Sequence, residues 1–122
     1  MADGGAKPWP SELRLKQAER LLIVSYDDGS RFELPAEYLR VESPSAEVQG
    51  HGPGQKKLVA GKAKVAIKAI EPVGNYAVRL LFDDGHDTGL YSWSYLHELG
   101  TAQTRNWERY LGELRRAGQS RG

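Results

Sequence analysis

The sequence predicts an α+β fold: a β-meander or hairpin-rich sheet with two short helices and a C-terminal amphipathic helix. Three observations predict it. Alternating apolar and polar stretches end at Asp-Gly or Gly-Asn turn signals, a strand-turn-strand-helix pattern occurs twice, and apolar residues near the C-terminus recur at helical spacing.

The elements follow in order. Met1 to Pro10 mix glycine and alanine with two prolines around Trp9, so a flexible lead-in is expected, with Trp9 free to dock. Leu13 and Leu15 alternate with polar residues, Leu21 to Val24 form a run rich in β-branched residues, and Asp28-Gly29 turns the chain into Arg31–Leu34. Pro35 sets a helical φ for a short helix over Ala36–Arg40, with Tyr38 and Leu39 turned inward. Val41 to Lys64 carries Pro44, Pro53 and glycines 50, 52, 54 and 61 and reads as a long loop, of the kind that is usually functional or mobile. Val65, Ile67 and Ala69 then alternate, and Gly74-Asn75 starts a second hairpin into Tyr76–Phe82.

Tyr26-Asp27-Asp28-Gly29 with Pro35 and Tyr38-Leu39 returns as Phe82-Asp83-Asp84-Gly85 with Tyr91 and Tyr95-Leu96. The second copy ends in a helix over Ser92–Leu99, with Ser92 as N-cap and Gly100 as its stop. Thr104 caps a last helix in which Trp107, Tyr110, Leu111 and Leu114 share one face and Arg105, Arg109, Arg115 and Arg116 the other. Gly118–Gly122 is expected to fray. The predicted organisation is therefore a lead-in over 1–10, a domain over 11–101, a helix over 102–117 and a tail over 118–122.

Bulk properties limit the function. A chain of 122 residues supports one core, and the absence of cysteine removes disulfides and thiolate-bound metals. A net charge of +1 gives no global field for gathering nucleic acid or anionic lipid. Neither a secretory leader nor a membrane-length apolar run is evident, and a cytoplasmic protein is expected.

Catalytic motifs are missing as well. No G-x-S-x-G elbow occurs, and Asp27-Asp28 and Asp83-Asp84 are what tight hairpin turns select. Gly54 and Gly61-Lys62 do not have P-loop spacing, and Ala63 stands where a hydroxyl is needed. The lysines of Lys56–Lys68 lack interleaved aromatics, so nucleic acid is an unfavoured partner. Of the three histidines, His51, His86 and His97, none has a metal-ligand spacing. His86 follows the second Asp-Gly turn where Ser30 follows the first, and reads more readily as an exposed turn residue than as a ligand.

The segments Leu39-Arg40, Ser43-Pro44-Ser45-Ala46-Glu47, Gln49-Gly50-His51-Gly52 and Asp84-Gly85-His86, with Tyr91-Ser92-Trp93 and Leu96, resemble the gamma-butyrobetaine hydroxylase-like N-terminal domain family over about Leu13 to Gly100. In the hydroxylases this domain precedes an oxygenase domain and holds a structural zinc through three cysteines and a histidine. The resemblance places those cysteines at Ser43, Ser45 and Val48 and the histidine at His86. Neutral serine is a poor zinc ligand and valine is none. The family also includes short standalone bacterial proteins and domains appended to carriers of iron–sulfur clusters, which implies an accessory role. The expected function is thus a non-catalytic accessory or protein-interaction domain linked to metal or iron–sulfur metabolism, with Arg40, Glu47, Gln49, His51 and Trp93 as ligand- or partner-binding residues. The alternative is a weak iron- or zinc-binding protein that uses His86 and His51, with an acid such as Glu47. An exposed apolar patch would favour a protein partner, with Tyr91, Trp93 and Trp107 as its candidates.

Overall fold

Local strand pairing builds two small sheets, and burial of their apolar faces joins them. The structure, a computed structural model, describes residues 8–52 and 54–122. Strands β1 (Pro10–Lys16), β2 (Leu21–Tyr26) and β3 (Arg31–Pro35) form one antiparallel meander, and β4 (Ile67–Val73), β5 (Ala77–Phe82) and β6 (Leu90–Ser92) form another. Helix α1 (Ala36–Val41) follows β3 and α3 (Trp93–Thr101) follows β6. The repeat read in the sequence is therefore a β-β-β-α unit used twice. Outside it stand α2 (Ala46–Gln49), in the linker between the units, and α4 (Gln103–Arg116) at the end.

Register explains which side chains are inside. Leu22 faces Leu34 across β2 and β3, and Leu22, Leu34 and Val24 are fully buried. In the second unit Val78, Leu80 and Phe82 alternate inward from β5. These residues share one core cluster with Tyr38, Leu39, Tyr91, Leu96 and Leu99. Each large apolar side chain so buried contributes about 1.5–3 kcal/mol. Two tyrosines clasp the units reciprocally. The Tyr38 hydroxyl on α1 donates to the Leu99 carbonyl on α3 at 2.7 Å, and the Tyr95 hydroxyl on α3 donates to the Glu42 carbonyl just past α1 at 2.6 Å. Burial raises both pKa values, so both hydroxyls remain donors.

Several expectations are corrected. Most of the lead-in, residues 1–7, lies outside the described residues, but Pro10 already belongs to β1. Pro35, with a φ of −62°, ends β3 and caps α1, which begins at Ala36 as expected. Gly100 does not stop α3. A Cβ there would stand 2.3 Å from the Phe32 ring, so the glycine admits an aromatic side chain and the helix runs on to Thr101. Ala102 rather than Thr104 is the N-cap of α4, and it caps without a side-chain bond. The 41–64 loop is anchored: Leu58, Val59 and Ala60 pack with Val41 against Tyr110 and Leu114 of α4, and the Tyr110 hydroxyl donates to the Val59 carbonyl at 2.6 Å.

The C-terminal segment departs from expectation in the same way. Gly61 and Ala63 donate their amides to the Ser120 and Arg121 carbonyls at 3.0 and 2.9 Å, so residues 118–122 fold back onto the linker instead of fraying. Helix α4, whose place the sequence leaves open, docks on the domain, with Tyr110 and Leu114 buried and the rings of Trp107 and Tyr38 6.3 Å apart.

Candidate functional site

The second Asp-Asp-Gly turn gathers most of the singled-out polar residues. The turn itself is set by Asp84, whose Oδ1 accepts the His86 amide at 3.0 Å, as aspartate before glycine commonly does. Its other oxygen takes the Arg40 Nε at 2.8 Å from α1 and the Lys62 Nζ at 2.7 Å from the linker. Burial alone would raise the Asp84 pKa, but Lys62, the His86 amide and Arg40 outweigh it and hold the carboxyl at about 2. Among the described residues the buried Nη1 of Arg40 has no hydrogen-bond partner, so the guanidinium is held through its Nε.

His86 is buried, not the exposed turn residue expected; its side chain is only 3% exposed. What covers it comes from the linker. Ser43 Oγ lies 2.8 Å from His86 Nε2 and accepts the Ser45 amide at 3.2 Å, while the other ring nitrogen, Nδ1, faces the acid of the linker. There Glu47 Oε1 stands 3.5 Å away. Glu47 also accepts the Thr88 hydroxyl, which in turn lies 2.6 Å from Ser45 Oγ. Burial, then the charge of Arg40, lowers the His86 pKa and keeps the ring neutral.

The order Ser43, His86, Glu47 is that of a hydrolytic triad, but access decides against that chemistry. Ser43 is fully buried, and a Cβ on Gly89 would lie 2.6 Å from its Oγ, so the Gly89 backbone seals the hydroxyl from above. An acyl group has no route to the nucleophile.

The remaining sequence-derived candidates are dispersed. Val48 is buried beside Ser45 in α2, and Gln49 donates to the Ser43 carbonyl at 2.8 Å, which makes it a staple of the linker. His51 is exposed, and its amide is held by Gln55 Oε1 at 3.1 Å. Trp93 donates its indole N–H to the Asn75 carbonyl at 2.8 Å and meets Trp9 edge-on at 6.5 Å. Of the three aromatics offered for an exposed patch, Tyr91 is fully buried and Trp107 packs on α1, leaving Trp93. Sequence reasoning noted Lys62 only among the loop lysines beside a candidate anion site, and missed its ion pair with Asp84 and the role of Thr88. The repeat held a signal for Asp84, because only the second copy is followed by a ring that needs covering. Lys62 gave no local signal.

These residues do not fit a zinc ion. Ser43 and His86 come together as the resemblance implies, but they satisfy each other with a hydrogen bond, and Val48 offers no donor. Among the described residues no group of three or more His, Asp or Glu is placed to hold a metal, so neither His86 nor His51 belongs to one. Among the same residues no helix is long and apolar enough to cross a membrane.

A duplicated β-β-β-α domain with a hydrogen-bonded linker core is the class that this geometry defines. The family model described as gamma-butyrobetaine hydroxylase-like, N-terminal, matches residues 13–97, and the chain belongs to that family. No curated protein matches it. Two proteins solved by NMR in solution are similar over nearly the whole chain. One is 48% identical with a TM-score of 0.83, covering 95% of this chain and 91% of that one. The other is 53% identical with a TM-score of 0.82, covering 99% and 90%. A crystal structure of a protein with unknown function from Acidithiobacillus ferrooxidans, of the DUF971 family, is 38% identical with a TM-score of 0.66, covering 78% of this chain and 98% of that one.

Proposed function

We propose that this chain is a non-catalytic accessory domain that binds a protein partner through an aromatic ledge. The carrying observation is the clustering of its exposed apolar side chains. Trp9 and Tyr76 are 51% and 54% exposed and line one cleft of about 250 Å³ with Trp93, Pro8, Ser92 and Ser94. Leu90, 46% exposed, lies two residues before Ser92 on β6 and so shares its face of the strand. Large apolar side chains gathered at one place, with indole and phenol groups at the rim, have the composition of an interface anchor. The polar cluster around His86 supports the non-catalytic half of the reading, because its groups are spent on one another. The family's accessory contexts favour a partner from metal or iron–sulfur metabolism.

In-cell photo-crosslinking tests the reading. A photoreactive phenylalanine analogue at Tyr76 or Leu90 is expected to give a discrete adduct that weakens in a Trp9→Ala background, while the same group at Arg116 gives none. Equal, diffuse labelling from all three positions would refute the ledge as a docking surface.

A further inference from the structure

The C-terminal segment sits in a site built for its arginine. Glu37 on α1 has a side chain only 6% exposed, and among the described residues Arg121 is the one side chain hydrogen-bonded to it. The contact is a fork: Arg121 Nε donates to Oε2 at 2.9 Å and Nη2 to Oε1 at 2.7 Å. The guanidinium also lies 5.4 Å from the centre of the Trp107 ring, which forms an aromatic wall beside it. A buried carboxylate on one side and an indole on the other select a planar, bidentate cation over a point charge. Gly61 and Ala63 donate to the successive carbonyls of Ser120 and Arg121, so the linker backbone holds the segment that presents the arginine. Pro35, Tyr38 and Gln103 complete the walls of a cavity of about 260 Å³ next to the guanidinium.

We propose that this groove is a receptor for a short peptide segment bearing an arginine on a protein partner, and that Arg121 occupies it in cis as an internal competitor. It shares no residue with the aromatic ledge, so the two readings stand or fall separately. The competitor is tethered directly after α4 and acts at an effective concentration on the order of millimolar, so a partner segment gains access only when the tail lets go. A buried Glu37 left without a cation is costly, so the pocket is either closed by its own arginine or filled by another.

The test uses the full-length chain carrying Arg121→Ala and the blocked peptide Gly-Gln-Ser-Arg-Gly, followed by NMR at the Trp107 indole and the Gly61 and Ala63 amides. Saturable shifts at all three are expected. They should be lost when the peptide arginine becomes alanine, and at least tenfold more peptide should be needed for the wild-type chain. Because Arg121→Ala strands a buried carboxylate, Arg121→Lys is run beside it. That variant keeps a cation over Glu37 without the fork, so the arginine peptide should displace it and give the same shifts. A folded variant that shows no shift at millimolar peptide overturns the proposal. So does a concentration-dependent wild-type dimer abolished by Arg121→Ala, which would assign the groove to a second copy's tail.

Discussion

The two Asp-Asp-Gly turns share a backbone and differ in what reaches them. In the first, Tyr26 donates its amide to Ser30, Asp27 exchanges bonds with Trp9, and the Ser30 amide binds Asp28 Oδ1 at 2.9 Å. In the second, Phe82 donates to His86, Asp83 exchanges the same pair with Ala66, and the His86 amide binds Asp84 Oδ1 at 3.0 Å. Their surroundings then diverge. The Asp28 side chain is 41% exposed and, among the described residues, pairs beyond its own turn with His97 of α3 alone, whereas that of Asp84 is 16% exposed and carries both Arg40 and Lys62. The turn motif fixes the hairpin; the linker between the units turns one copy into a closed polar centre.

The largest expected effect breaks that asymmetry at its acid. Asp84→Ala removes the one counter-charge that Arg40 and Lys62 have among the described residues, and should cost about 3 kcal/mol. Lys62 is one-quarter exposed, which keeps the loss at the low end of the range for a broken buried pair. Asp28→Ala should cost clearly less. Chemical denaturation of both variants measures the gap, and equal losses would mean the second turn is no more than a turn. The pH dependence sharpens the test. With a folded pKa of about 2 against 3.8 when free, the Asp84 carboxylate contributes fully above pH 3.8, and its contribution is lost as the pH falls toward 2. The stability difference between wild type and Asp84→Asn should close over that window.

His86 comes next. His86→Ala leaves a void beside Phe82 and an unpaired Ser43 hydroxyl, for an expected loss of about 2 kcal/mol, whereas Ser30→Ala at the matching position should stay within about 0.5 kcal/mol. Burial holds the His86 pKa below its ordinary 6.5, so the neutral ring is the folded form. Its contribution is complete above pH 6.5 and is lost as the pH falls below that value. His86→Gln should remove this part of the wild-type pH dependence, and a curve of unchanged shape would show that the ring protonates without penalty. A smaller effect of about 1–2 kcal/mol is expected for Gly89→Ala, since the added methyl meets both Ser43 Oγ and the Tyr91 ring. Glu33→Ala, at the corresponding place after the first turn, should be close to neutral by thermal melting.

The duplicated hairpins were legible because turn chemistry is local: an Asp-Gly pair and its flanking alternation announce themselves within ten or so residues. What escaped was non-local. Gly100 looks like a helix stop until Phe32 arrives from the other unit, and His86 looks like a surface residue until Ser43 and Glu47 close over it. Arg121 sits in a polar, glycine-rich tail whose order comes from distant groups, Glu37 on α1 and the Gly61 and Ala63 amides of the linker. The resemblance groups Ser43, Ser45, Val48 and His86 as one former ligand set, and its motifs also carry Arg40, Glu47, Gln49 and His51. The structure brings Arg40, Ser43, Ser45, Glu47 and His86 together around one turn, whereas Val48 offers no donor, Gln49 staples the linker and His51 is exposed.

The smallest effect tests whether the linker is an independent element. Ser45 accepts the Glu47 amide at 3.2 Å as the N-cap of α2 and ties that helix to Thr88 beyond the second turn. Ser45→Ala should cost about 1 kcal/mol, the usual value of a lost cap. Because α2 is four residues long and lies outside the repeat, the loss should be local rather than global. Amide exchange at Glu47 and Val48 should then accelerate about fivefold, the Boltzmann factor for ~1 kcal/mol, with the Ser30 amide of the first turn unchanged. If exchange rises equally at both turns, the linker and the two units open together, and the closed centre around His86 belongs to the global fold. If only α2 responds, the same scaffold carries a linker that can open without melting the repeat, and Ser43 and His86 become reachable only in that opened state.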